Sequence, residues 1–101
     1  MKTDELPPHP GQVLLHMYLL PLGITQVDLA EHLGISFQRV NEIVNGKRAI
    51  TAETAWLLSQ AFLTGPQYWM DMQTRWDLAM HFIQNELRSV TPLVRMKGRT
   101  S

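Results

Sequence analysis

An all-α fold of five helices, with a helix-turn-helix at helices two and three and a long C-terminal helix, is what this sequence predicts, on three observations. Apolar residues recur at spacings of three and four, and nothing alternates as a strand would over more than a few positions. Thr25, Ser36 and Thr51 each stand immediately before such a run, where a side-chain oxygen can accept from an exposed first-turn amide. Glycine or proline closes or opens the runs at Pro10, Pro21, Gly23, Gly34, Gly46 and Gly65-Pro66.

Helix one is expected from about Pro10 to Leu20, with proline in its first turn and Val13, Leu14 and Met17 at helical spacing; Pro21 and Gly23 read as its stop. Thr25 caps helix two, Asp28 helps its free amides, and Leu29, Ala30 and Leu33 form its apolar stripe up to Gly34. Ser36 caps a third helix only two residues later, with Val40, Ile43 and Val44 inward and Asn45-Gly46 as terminator. Thr51 caps the fourth, where Glu53 suits the first turn and Ala55, Leu58, Ala61 and Phe62 are available for burial. Gly65-Pro66 opens the fifth, which Trp69, Met72, Trp76, Ala79 and Ile83 carry to about Asn85. Residues 1–8 are expected as a flexible N-terminus, 9–86 as one folded domain and 87–101 as a basic tail holding Arg88, Arg95, Lys97 and Arg99.

The length of 101 residues suits one domain. The absence of cysteine removes disulfides, thiolate nucleophiles and sulfur-ligated metals. No positively charged leader precedes an apolar run, and no stretch approaches the ~18 apolar residues of a membrane span, so a soluble cytoplasmic chain with no membrane partner is expected. Net charge is zero, from nine basic and nine acidic residues, but the distribution is uneven. Residues 36–50 carry three bases against one acid and 87–101 carry four against none, so any attraction to DNA is confined to two short stretches.

The informative segment is Leu33-Gly34-Ile35-Ser36, a short Gly-containing turn between two short helices, the sequence form of a helix-turn-helix. Winding helix three at about 100° per residue sets Val40, Ile43 and Val44 in one sector and Gln38, Asn41, Glu42 and Asn45 opposite them. Arg39 falls at one edge of that polar face and Phe37 at the other, near the helix start where recognition helices meet base edges. Glutamine pairs with adenine, arginine with guanine, and Phe37 can touch a thymine methyl, which makes Gln38 and Arg39 the first choices for base reading. Glu42 would either accept from cytosine N4 or hold Arg39 as an i, i+3 pair. Lys47 and Arg48 suit phosphates, and Thr25, Gln26 and Ser36 with the neighbouring amides could add contacts that position without specifying.

The run Thr25-Gln26, Leu29-Ala30, Leu33-Gly34-Ile35-Ser36 and Val40 to Arg48 resembles the Xre, or phage-repressor-like, helix-turn-helix family. More narrowly, His9-Pro10-Gly11, Asn41-Glu42-Ile43, Gly46-Lys47-Arg48-Ala49-Ile50-Thr51, Thr64-Gly65-Pro66-Gln67-Tyr68-Trp69, Gln73 and Asp77-Leu78 resemble the HigA antitoxins, also called the VapI type. That resemblance, over about residues 9–80, implies a five-helix phage-repressor-like DNA-binding domain that homodimerises and represses its own operon. It also implies binding to a HigB-type toxin, an mRNA-cleaving ribonuclease. Phe37, Leu57, Leu63 and Gly65 depart from the family pattern.

Trp56, Trp69 and Trp76 are expected mainly in the core. Leu57, Met70, Leu78 and Phe82 fall on other sectors of their helices, leaving apolar surface over. A dimer or partner interface built from Leu57, Trp76, Leu78 and Phe82 is its simplest use, with helix five the favoured face. No enzyme, metal or cofactor motif is present; Asp28/His32 and Asp77/His81 read as surface ion pairs. The competing expectations are an orphan Xre-type regulator without a toxin, and an interaction module that has kept the fold but lost DNA binding.

Overall fold

His9 opens the first helix in the computed structural model, which describes residues 6–94. Its Nδ1 accepts from the Gly11 amide at 2.9 Å, and Pro10 fills a position where no backbone donor is needed. Helix α1 then runs over Pro10–Leu22. It differs from the expected Pro10–Leu20 in passing through Pro21 rather than stopping at it. The reason is a π-helical turn over Leu14–Leu19, in which the Leu20 amide reaches five residues back to the Leu15 carbonyl. The widened turn loosens the backbone just ahead of a residue that cannot donate and whose ring crowds the preceding turn. Gly23 alone ends the helix, with φ +68°. The same turn shifts the apolar register: Leu14 and Leu19, five apart, are buried, while Met17, expected inward, is exposed.

Helix α2 (Gln26–Leu33) starts with a reciprocal capping box between Thr25 and Asp28 and ends at Gly34. Helix α3 (Phe37–Val44) starts on Ser36, whose Oγ accepts from the Arg39 amide at 3.1 Å. Helix α4 (Ala52–Phe62) starts on Thr51, and α5 (Pro66–Gln84) follows Gly65. There is no strand among the described residues, and no single helix there is long and apolar enough to cross a membrane. Residues 85–94 are not helical; Arg95, Lys97 and Arg99, expected in the basic tail, and residues 1–5 lie outside the described residues.

One core joins all five helices, through Val13, Leu14 and Leu19, then Leu29 and Ala30, Val40, Ile43 and Val44, Ala55 and Leu58, and Trp69 and Met72. Trp69 is its largest fully buried side chain, and its indole N–H donates to Thr64 Oγ1 at 2.8 Å. This satisfied polar tip is what allows so large a ring to be enclosed. The three tryptophans part company: Trp76 is half-buried, stacked edge-on against His9 at 5.2 Å, while Trp56 is 58% exposed. Trp56 follows the buried Ala55 on α4 and is carried to the outside, so the expectation that it belongs to the core fails.

Candidate nucleic-acid interface

The turn between α2 and α3 is built from local chemistry. Gly34 sits at φ +73°, and the Ile35 amide reaches back to the Ala30 carbonyl at 3.0 Å, closing α2. Ile35 packs against the core, and Ser36 immediately restarts the chain as α3. Val40, Ile43 and Val44 are buried, so the opposite face of α3 is fixed as the outward one.

On that face the polar groups form a connected network. Asn41 Nδ2 donates to Gln26 Oε1 at 3.1 Å, joining the two helices, and Asn45 Nδ2 donates to Asn41 Oδ1 at 3.3 Å. Gln38 Nε2 donates to Glu42 at 3.2 Å. Glu42 also takes the guanidinium of Arg48, at 2.7–2.8 Å, from the loop after α3. That bond, ahead of those from Gln38 and the positive charge of Lys47, holds the Glu42 carboxyl below the usual range, against a smaller opposing effect of burial. Glu42 therefore does not hold Arg39 as the i, i+3 pair that the sequence allows.

Arg39 points elsewhere. Its NH2 donates to Glu53 Oε1 at 2.9 Å and to Thr54 Oγ1 at 2.8 Å, both on α4, leaving 22% of its side chain exposed. Phe37, at the head of α3, is half exposed, and Lys47 has no ion-pair partner among the described residues. Thr25, Gln26, Ser36, Phe37, Gln38, Asn41, Glu42 and Asn45 thus gather along α3 and the start of α2, with Lys47 and Arg48 following. Arg39 alone is turned toward α4.

Several residues that place α3 have no site role assigned from the sequence, where Gly11 and Gln73 stand only in the family signature. Gly11 lies so close to α3 that a Cβ there would fall 1.7 Å from the Ile43 carbonyl oxygen. Gln12 Nε2 donates to the Val44 carbonyl at 2.9 Å, occupying an acceptor that the helix end leaves free. The buried Gln73 of α5 accepts from the Ile50 amide at 2.8 Å, tying the loop after α3 to the long helix. Asp77 in turn accepts from Gln73, and Asp28 is engaged by Thr25. Neither Asp28/His32 nor Asp77/His81 closes as an ion pair. No group of His, Cys, Asp or Glu able to hold a metal occurs among the described residues.

A family model described as a helix-turn-helix matches residues 15–69. Antitoxin HigA-1 of Vibrio cholerae is 34% identical over 95 residues, 91% of this chain and 89% of that protein. The chain belongs to the HigA-type helix-turn-helix family. Virulence-associated protein I of Dichelobacter nodosus, a further relative, is 45% identical over 78 residues, 76% of this chain and 72% of that protein. The Pseudomonas aeruginosa antitoxin HigA, solved with the higBA promoter, has a TM-score of 0.76 at 37% identity over 78% of this chain and 86% of its own. HigA-type proteins are DNA-binding regulators and antitoxins rather than enzymes. The structure gives several family-signature residues a physical meaning. His9 caps α1, Gly11 admits the α3 backbone, Thr64 satisfies Trp69, and Gln73 holds Ile50.

Proposed function

We propose that two copies of this HigA-type chain bind an inverted-repeat operator upstream of their own gene and repress it. One α3 enters each of two successive major grooves, with half-site centres about 34–36 Å apart. The observation that carries this reading is the outward face of α3, polar but for Phe37 at its head and pre-ordered on a capped turn beside the head of α2. Gln38, Asn41 and Asn45 present amide groups suited to base edges, and Phe37 an apolar edge suited to a thymine methyl. Lys47, Thr25, Gln26 and Ser36 contact phosphates, which Arg48 joins once it leaves Glu42. Leu78 and Phe82, exposed on α5, with half-buried Trp76 on the same helix and half-buried Leu57 on α4, form the homodimer or partner face. The protein partner is a HigB-type mRNA-cleaving toxin, which the chain neutralises, and both act in the cytoplasm.

Fluorescence anisotropy on duplex DNA from immediately upstream of the gene, beside a scrambled duplex, tests the first part. Preference for the native duplex, affinity falling with salt and loss of preference in Gln38→Ala are expected. Equal binding to both duplexes removes the reading. For the second part, an adjacent reading frame of about a hundred residues whose product co-purifies with the chain is expected. A chain that regulates without such a neighbour is an orphan regulator.

One observation favours a second reading, an interaction module that applies α3 to a protein: Phe37 is half exposed while both nearby arginines are engaged by carboxylates. An apolar protein contact of that kind would hold its affinity as salt rises, whereas a DNA contact would lose it.

A further inference from the structure

Helix α3 is held to three different neighbours along its length. At its C-terminal end Gln12 of α1 holds the Val44 carbonyl, and at its middle Asn41 meets Gln26 of α2. At its head the attachment is Arg39, which reaches across to Glu53 and Thr54 in the first turn of α4. An arginine has only donors, so Thr54 Oγ1 must accept from it. The Thr54 hydroxyl proton is then free for Thr51 Oγ1, 3.2 Å away, and that oxygen accepts in turn from the Thr54 amide at 3.3 Å. Arg39 is thereby joined to the N-cap of α4 through a buried threonine, 1% exposed. Both bonds come from the same NH2 group, which reaches a base only by giving up both partners, leaving Thr54 enclosed without its donor.

We infer that Arg39 is a positioning residue, bracing the head of α3 against Glu53 and Thr54 of α4, and that it acts on DNA recognition through the pitch of α3 rather than by reading a base. The inference rests on α3 being the DNA-reading helix. It divides two neighbours that the sequence treats alike: Gln38 faces outward and Arg39 sideways. It also makes Thr54, which no duplex can touch, a determinant of affinity.

The test uses the full chain, its upstream duplex and a set of duplexes carrying single base-pair changes across one half-site, with wild type, Thr54→Val, Arg39→Met and the double variant. All titrations are made at a temperature where circular dichroism shows each variant fully folded, so that a purely structural effect does not register. Thr54→Val changes no charge and is expected to weaken binding to the native duplex by about threefold to tenfold, the value of a lost net hydrogen bond. Its pattern of preferred base pairs and its slope against log salt should be unchanged. The double variant should be no weaker than Arg39→Met, because both remove the same brace. Arg39→Met flattening the preference at one base pair while Thr54→Val binds as wild type would overturn the inference and leave the DNA-reading proposal standing. A wild type that does not distinguish its native duplex from a scrambled one would overturn both. Should Arg39→Met not fold, Thr54→Val and Glu53→Gln decide the matter: unchanged affinity in the first, or a lost base preference in the second, refutes the brace.

Discussion

Replacing Gly11 with alanine adds a single methyl group, yet it should force two helices of this protein apart. The new Cβ would lie 1.7 Å from the Ile43 carbonyl oxygen and 2.6 Å from its carbon, both of them backbone atoms that no rotamer change can move. Ordinary carbon–oxygen contact is about 3.3 Å, so α1 and α3 must separate by about 1.6 Å. A gap of even ~0.5–1 Å forfeits a quarter to a half of the dispersion energy across it. The Gln12–Val44 bond, 2.9 Å in the native chain, would stretch beyond hydrogen-bonding distance. Overpacking of about 1–3 kcal/mol and a lost hydrogen bond of about 1 kcal/mol together give about 3 kcal/mol. For a domain of this size that lowers Tm by about 12–24 °C, measured by far-UV circular dichroism on heating and checked by urea titration. Gly65→Ala, whose Cβ would meet nothing within 4 Å, should cost only about 1 kcal/mol through its cap position. A Gly11→Ala protein melting within about 4 °C of the wild type would show that the two backbones do not meet as described.

Leu63 ends α4 at φ +58°, the only non-glycine residue at positive φ among those described, and is 92% exposed. Leu63→Gly should therefore stabilise by about 0.5–1 kcal/mol, the left-handed strain relieved less the added freedom of the unfolded chain; a Tm at or below the wild-type value contradicts this. Gln73→Met removes the acceptor for the Ile50 amide in a buried position and should cost about 1–3 kcal/mol in urea titration, with an unchanged midpoint counting against the assigned bond. Burial holds the His9 imidazole below its ordinary 6.5, with Asp77 opposing. Between 6.5 and the lower folded value the unfolded chain binds more protons, so stability should fall as pH drops below about 6.5. His9→Asn keeps a capping oxygen and should flatten that part of the stability–pH curve; an unaltered slope would assign it to another group.

What the sequence makes legible is what forms within a few residues. Thr25, Gly34, Ser36 and Thr51 act through bonds to amides or carbonyls close by in the chain, and all four do what their residue types suggest. The inward set Val40, Ile43 and Val44 follows from period alone because α3 is short and regular. Met17 does not, because its helix winds a π turn and a 3.6-residue period points it to the wrong side. Trp56 is misplaced by reasoning from hydrophobicity, since α4 already fills its inner side with Ala55 and Leu58. The partners of Arg39 and Arg48 illustrate the wider difficulty. Helical winding offers Arg39 a carboxylate three residues away, but the one it meets is 14 residues on, and Glu42 turns to Arg48 in the following loop. Gly11 is readable only as part of a family signature, because the contact that requires it lies on α3.

The chain of amides from Gln26 through Asn41 to Asn45 has a thermodynamic consequence of its own. Freezing a rotamer-rich side chain on association costs about 0.5–1.5 kcal/mol, and in this protein much of that ordering is complete before any partner arrives. Docking on this face is accordingly less opposed by side-chain entropy than docking on a loose polar helix of the same composition. The same coupling limits how the surface can change. Replacing Asn41 alone would release Gln26 and Asn45 together, so alteration of this face by single substitutions proceeds through intermediates that are less ordered than either endpoint.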